Sequence, residues 1–89
     1  MGRGQWVIIH KTKEPLDPTR VGAALDALRN AFPDAVPNRL DGLRLDWPDR
    51  WLLVRASNTE PIIRIIAEAP EASDAESLCE QARNVLGNI

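Results

Sequence analysis

The spacing of apolar residues changes several times along the chain, and each change marks an element. Gln5 to Thr12 (QWVIIHKT) holds Val7, Ile8 and Ile9 at its centre, which predicts a strand closed by Pro15. Asp17 followed by Pro18 then gives an N-cap and a proline at the first helical position. Val21, Ala24, Leu25, Leu28 and Phe32 recur at helical spacing and predict an amphipathic helix of about four turns, ended by Pro33. Val36 to Leu40 reads as a short strand, which Pro37 confines to a sheet edge.

Asp41-Gly42 predicts a two-residue turn, since glycine tolerates positive φ and aspartate the left-handed region. Leu43, Leu45 and Trp47 alternate with Arg44 and Asp46, the pattern of a half-buried strand, and Pro48-Asp49 supplies the next turn. Trp51 to Ala56 and Ile62 to Ala69 are two further strands, separated by the polar run Ser57-Asn58-Thr59-Glu60-Pro61. Pro70 stops the last strand. Ser73 and Glu76 have the spacing of a capping box, after which Ala75, Leu78, Cys79, Ala82, Val85 and Leu86 share one helical face and Gly87 is placed as the stop. The predicted order is β-α-β-β-β-β-α, an α+β fold whose mostly antiparallel sheet carries two helices on one face.

Composition narrows the function classes. With 89 residues there is room for one domain, residues 1–89, and no second core. Eleven basic and thirteen acidic side chains give a charge of −2, which argues against a dedicated nucleic-acid partner. A single cysteine excludes an internal disulfide and a multi-cysteine zinc site. No apolar run is long enough to span a membrane and no signal-peptide pattern is visible, so the expectation is a soluble, cytoplasmic domain without membrane contact. Charge is unevenly placed: acids gather at Glu68, Glu71, Asp74, Glu76 and Glu80, while Arg39, Arg44, Arg50, Arg55 and Arg64 make the central strands relatively basic.

The run from Arg55 to Arg64 (RASNTEPIIR) carries the candidate chemistry. Two hydroxyls, a carboxamide and two guanidinium groups meet at a strand junction, where a tight turn can aim successive backbone N–H groups at an anion. Arginine adds a planar fork matched to phosphate oxygens. Ser57 and Thr59 each offer a hydroxyl, and Asn58 tolerates the left-handed backbone expected of such a turn. An ordinary polar turn is the competing reading of the same residues. Glu60 must face away from a bound anion, either towards solvent or towards an arginine such as Arg64. Arg64 itself has two readings, a structural ion pair or direct ligand contact.

The same stretch, continued through Ile65-Ile66-Ala67-Glu68-Ala69, resembles the phosphate-binding loop of the α-D-phosphohexomutases: phosphomannomutase, phosphoglucomutase and phosphoglucosamine mutase. Upstream, Leu40-Asp41-Gly42-Leu43-Arg44-Leu45-Asp46 and Trp51-Leu52-Leu53-Val54-Arg55 resemble the hairpin leading into that loop, and Ala31-Phe32-Pro33-Asp34 also fits. The resemblance runs from about Trp6 to Leu86 and concerns the family's fourth, C-terminal domain. It implies a TBP-like fold and a chain excised from a larger enzyme, because the phosphorylatable serine, the metal loop and the sugar-reading loop of the other domains are missing.

In such an enzyme a phosphoserine and Mg²⁺ transfer a phosphoryl group through a bisphosphorylated sugar, while the fourth domain holds the phosphate that is not reacting. The resemblance thus implies that Arg55, Ser57, Asn58 and Thr59 are phosphate ligands, with Arg64 matching the motif in a less defined role. It implies no catalytic residue and no metal in this domain, Mg²⁺ being bound elsewhere. The implied partners are a phosphosugar and the parent enzyme's remaining domains, and the isolated domain is expected to be inactive. The alternative class is a free-standing α+β ligand-binding or interaction module. Elsewhere, His10 reads as surface or interface filler and Cys79 as a small core residue. Trp6, Trp47 and Trp51 read as packing groups more than sugar-stacking ones. Strands at 6–9, 51–54 and 62–66 are apolar on both alternations, which predicts a second sheet face that the two helices leave open.

Overall fold

A computed structural model of the chain describes residues 7–89. Gln5 and Trp6, where the first predicted strand begins, lie outside the described residues. The elements run β1 (Ile8–Pro15), a 3-10 turn (Pro18–Arg20), α1 (Val21–Ala31), β2 (Val36–Asn38), β3 (Leu43–Asp46), β4 (Trp51–Ala56), β5 (Ile62–Ala69) and α2 (Ala72–Gly87). They form one five-stranded sheet in the order β1-β5-β4-β3-β2, with every neighbouring pair antiparallel. The predicted α+β architecture and element order are those observed.

Local chemistry accounts for the boundaries. Asp17 Oδ1 accepts from the Thr19 N–H at 2.9 Å and from the Thr19 hydroxyl at 2.8 Å, capping the 3-10 turn through which the chain enters α1. The backbone bond from Thr19 is the main reason that the Asp17 carboxyl sits below its usual value of 3.8. β1 extends to Pro15, opposite Ile62, instead of ending before it. An edge strand tolerates a proline at its end, where no ladder donor is required. β2 is likewise an edge strand, and it stops at Asn38 because the Asn38 side chain accepts from the Leu40 N–H at 2.9 Å and turns the chain.

Three expectations are corrected. The β2–β3 connection is not a two-residue turn: residues 39–42 all lie between the strands, although Gly42 does take φ +75°. A Cβ at Gly42 would lie 2.3 Å from the Val54 carbonyl oxygen, so both backbone sign and space require glycine there. The Ser73–Glu76 capping box is absent, because α2 is capped at Glu71 without a side-chain bond and Ser73 already lies within the helix. Gly87 is the last residue of α2, and Asn88 takes the C-cap position.

The core lies between the helices and one face of the sheet. Ala24, Leu25, Leu28 and Phe32 from the first helical segment meet Ala75, Leu78, Cys79, Ala82 and Leu86 from α2. Beneath them, Leu43, Leu45, Leu52, Val54, Ile63 and Ile65 are fully buried, as are Ala67 and Ala69. The small side chains at 67 and 69 leave space for α2, which packs on β5 and β1. Trp47 packs edge-on against Phe32 (centroids 5.6 Å apart, planes at 86°) and donates its Nε1–H to Asp34 at 3.1 Å, as its packing role predicted. Cys79 is buried, its Sγ 3.6 Å from the His10 carbonyl oxygen, and burial pushes its thiol up to about 11. Such a thiol is a core group and not a nucleophile.

Candidate functional site

Among the described residues no helix covers the opposite face of the sheet. β4 presents Trp51, Leu53 and Arg55 there, while β5 presents Arg64, Ile66 and Glu68, all partly or fully exposed. This face has two distinct ends. At the end near the β3–β4 turn, Arg44 grips Asp46 through its Nε and terminal nitrogen at 3.0–3.1 Å and stacks over Trp51, 4.6 Å from the ring centroid. The hydrogen bond to Asp46 is the leading cause that raises the Arg44 pKa above its ordinary value. That guanidinium is engaged, and Trp51 serves it as a platform.

The other end is built by the β4–β5 loop. β4 and β5 pair as far as Ala56 and Ile63, and the Ser57 N–H then donates to the Ile62 carbonyl at 3.0 Å, holding the loop's two ends together. Ser57 Oγ accepts from the N–H groups of Thr59 and Glu60, both at 3.2 Å, and lies 3.4 Å from Thr59 Oγ1. The Ile62 N–H returns to the Glu60 carbonyl at 2.8 Å. The expectation of backbone N–H groups aimed at an anion is therefore revised, since those of Ser57, Thr59 and Glu60 are satisfied inside the loop. Asn58 has no left-handed backbone either; among the described residues only Gly42 has positive φ. What faces outward is side-chain chemistry.

Arg55, Ser57, Asn58 and Arg64 line one concavity of about 230 Å³, floored by Leu53 and Ile66. That is several times the roughly 30 Å³ share of a water molecule, enough for a small tetrahedral anion. Four of the five candidate residues are thus brought together. Thr59 is not in the lining, and its hydroxyl is directed at Ser57. Glu60 turns towards Arg64, with 3.8 Å between Oε1 and the guanidinium, which decides its orientation. Because Ser57 Oγ already accepts twice, its own proton is available to donate.

One partner was missed from the sequence. Asp41 Oδ2 lies 3.1 Å from the Arg55 guanidinium. The signal was present in the register: Leu43 opposes Val54, so the glycine before it, and the aspartate before that, fall beside Arg55. Asp41 and Arg55 are both more than half exposed, so the pair orients the guanidinium more than it stabilises the fold.

Among the described residues no group of three or more His, Cys, Asp or Glu side chains converges as a metal site would require. Also among them, no helix is long and apolar enough to cross a membrane. The concavity's functional groups are guanidinium, hydroxyl and carboxamide, all hydrogen-bond donors.

Comparison with known proteins agrees with the sequence resemblance. The profile of the phosphoglucomutase/phosphomannomutase C-terminal domain matches residues 11–85. A protein of Methanocella arvoryzae named "Probable phosphoglucosamine mutase" is 49% identical over 49 residues, which cover 55% of this chain and 11% of that protein. The phosphoglucosamine/phosphogalactosamine mutase of Sulfurisphaera tokodaii is 43% identical over 47 residues, covering 53% of this chain and 10% of that enzyme. A crystal structure of a phosphoglucomutase/phosphomannomutase family protein from Burkholderia thailandensis superimposes with a TM-score of 0.62 at 29% identity, covering 89% of this chain and 17% of that one. The chain thus spans about a tenth of the length of these curated relatives. With the profile covering most of the described residues and the fold superimposing, the chain belongs to the phosphoglucomutase/phosphomannomutase C-terminal domain family.

Proposed function

We propose that this domain binds the phosphate of a phosphosugar, at the end that is not reacting, within a phosphohexomutase that isomerises its substrate through a bisphosphorylated intermediate. The observation that carries this reading is the concavity in which Arg55, Ser57, Asn58 and Arg64 converge, with four donor side chains of three kinds and no carboxylate in its lining. Arginine forks match phosphate geometry, and the half-exposed guanidinium of Arg55 is already held in place by Asp41. Thr59 joins the site if an anion draws its hydroxyl away from Ser57. Arg64 can exchange its long 3.8 Å contact with Glu60 for a ligand oxygen at small cost, since exposed ion pairs contribute little.

The role follows from the chemistry present. The residues supply donors and positive charge but neither a nucleophile nor a base at the concavity, so they hold and orient. Gripping a remote phosphate provides binding energy that positions the reacting end of the same sugar. Mg²⁺, which polarises a transferring phosphoryl group in such enzymes, would be held by residues outside those described here. The sugar and the remaining domains of the parent enzyme are the partners of this reading.

Titration with a hexose 1-phosphate and a hexose 6-phosphate, followed by amide chemical shifts, tests it. Shifts concentrated at residues 55–60 for the phosphates, and absent for the unphosphorylated sugar, are expected. Equal shifts with the plain sugar would contradict phosphate recognition.

A further inference from the structure

The strand register places three cations in one row across the open face. Lys13 on β1 is the Cα partner of Arg64 on β5, and Arg64 is the partner of Arg55 on β4. Directly paired residues of antiparallel strands share a face, so the three side chains project from the same side, spaced by roughly 4.8 Å per strand. Like charges placed directly opposite are destabilising, and this row contains two such pairs. Two of its members have acidic counterweights: Arg55 has Asp41 at 3.1 Å and Arg64 has Glu60 at 3.8 Å. Among the described residues Lys13 takes part in no ion pair and is exposed. Arg64 lines both the loop concavity and a second, more open one bordered by Lys11 and Lys13, so this residue is common to the two hollows.

From this row we propose that Lys13 is a further anion-binding residue, acting with Arg55 and Arg64 on the outer oxygens of a dianionic phosphate monoester. The inference rests on the phosphate reading given above and extends that site to the sheet-edge strand. A phosphate in the loop concavity relieves the repulsion along the row, because each cation then faces negative charge instead of its neighbour. Lys13, the cation without a carboxylate beside it, has no ion pair to break before doing so. Lys11 shares the face but sits opposite Ile66, one step further from the loop.

The test compares affinities for inorganic phosphate, measured by amide shifts at low salt, in the wild-type chain and in Lys13→Gln, Lys13→Arg, Lys11→Gln and Arg55→Ala. Lys13→Gln should weaken binding about threefold to fivefold, the scale of one exposed charge contact. Lys13→Arg should restore it, and the difference should shrink as added salt screens the charge. Lys11→Gln should have a smaller effect. If Lys13→Gln binds as the wild type does while Arg55→Ala does not bind, the role of Lys13 is overturned and the loop site stands. If Lys11→Gln and Lys13→Gln weaken binding equally, the row has no special part and the inference fails. If the wild-type chain shows no phosphate-dependent shift, the loop site and the inference fall together.

Discussion

The two faces of one sheet use the same strands for opposite ends. Under the helices, Leu52, Val54, Ile63 and Ile65 are completely buried. One residue along on each strand, Leu53, Arg55, Arg64 and Ile66 lie on the uncovered side and line the candidate site. Because successive side chains on a strand point to opposite faces, a single position separates what holds the fold from what meets a ligand. β4 and β5 therefore act as a rigid mount, whose stability is supplied behind the site and not by it. Substitutions on the two faces should separate stability from binding.

The largest contrast is between neighbours of identical chemistry. Leu52→Ala should cost about 3 kcal/mol in urea denaturation, and Leu53→Ala about 1 kcal/mol or less, because only the first leaves a cavity in a closed core. Equal losses would break the distinction. Gly42→Ala comes next, at about 2 kcal/mol, since it forces a left-handed backbone and a Cβ against the Val54 carbonyl. It should also disturb the Asp41–Arg55 pair, making it the variant that couples the two faces; a thermal melt and a phosphate titration on the same sample would show both effects.

Cys79 sharpens the comparison from the covered side. Its thiol is raised from 9.0 to about 11, chiefly by burial, so the folded state favours the neutral form. That contribution is complete below the unfolded value near 9 and is lost as pH rises towards 11. The stability difference between wild type and Cys79→Ala should accordingly narrow, by on the order of 2 kcal/mol, between those limits. A pH-independent difference in chemical denaturation would contradict burial of this thiol. The smallest effect lies at the margin of the sheet, at Asp17. Its carboxyl is held low by the Thr19 N–H, so the cap stabilises above pH 3.8 and is lost as pH falls through the depressed value. Asp17→Ala should match the wild type in acid and fall slightly below it at neutral pH.

Much of this was legible in the sequence. The alternation at Leu43–Asp46 and the proline and glycine punctuation placed the strands, and helical spacing placed both helices, because these patterns reflect burial directly. The candidate loop was legible as well, through its donors and its resemblance to a known motif. What escaped depended on the chain's return path. That Pro15 could end a strand follows from its edge position, which only the sheet order reveals. The failed capping box at Ser73 reflects a helix whose cap lies two residues earlier, with α2 beginning at Ala72 and Glu71 capping through its backbone carbonyl. Asp41 and Lys13 reach the site through cross-strand register, at 14 and 42 positions from Arg55, a relation that no local pattern encodes.

The central claim is that the end of the open face near the β4–β5 loop is a phosphate clamp independent of the core. Its most direct test is the binding of inorganic phosphate to the wild-type chain and to Arg55→Ala, with thermal stability measured alongside. Saturable shifts at Ser57, Asn58 and Thr59, lost in Arg55→Ala while the melting temperature stays within a few degrees, are the predicted result. Undiminished phosphate binding in Arg55→Ala, or no saturable shift in the wild type, would contradict it.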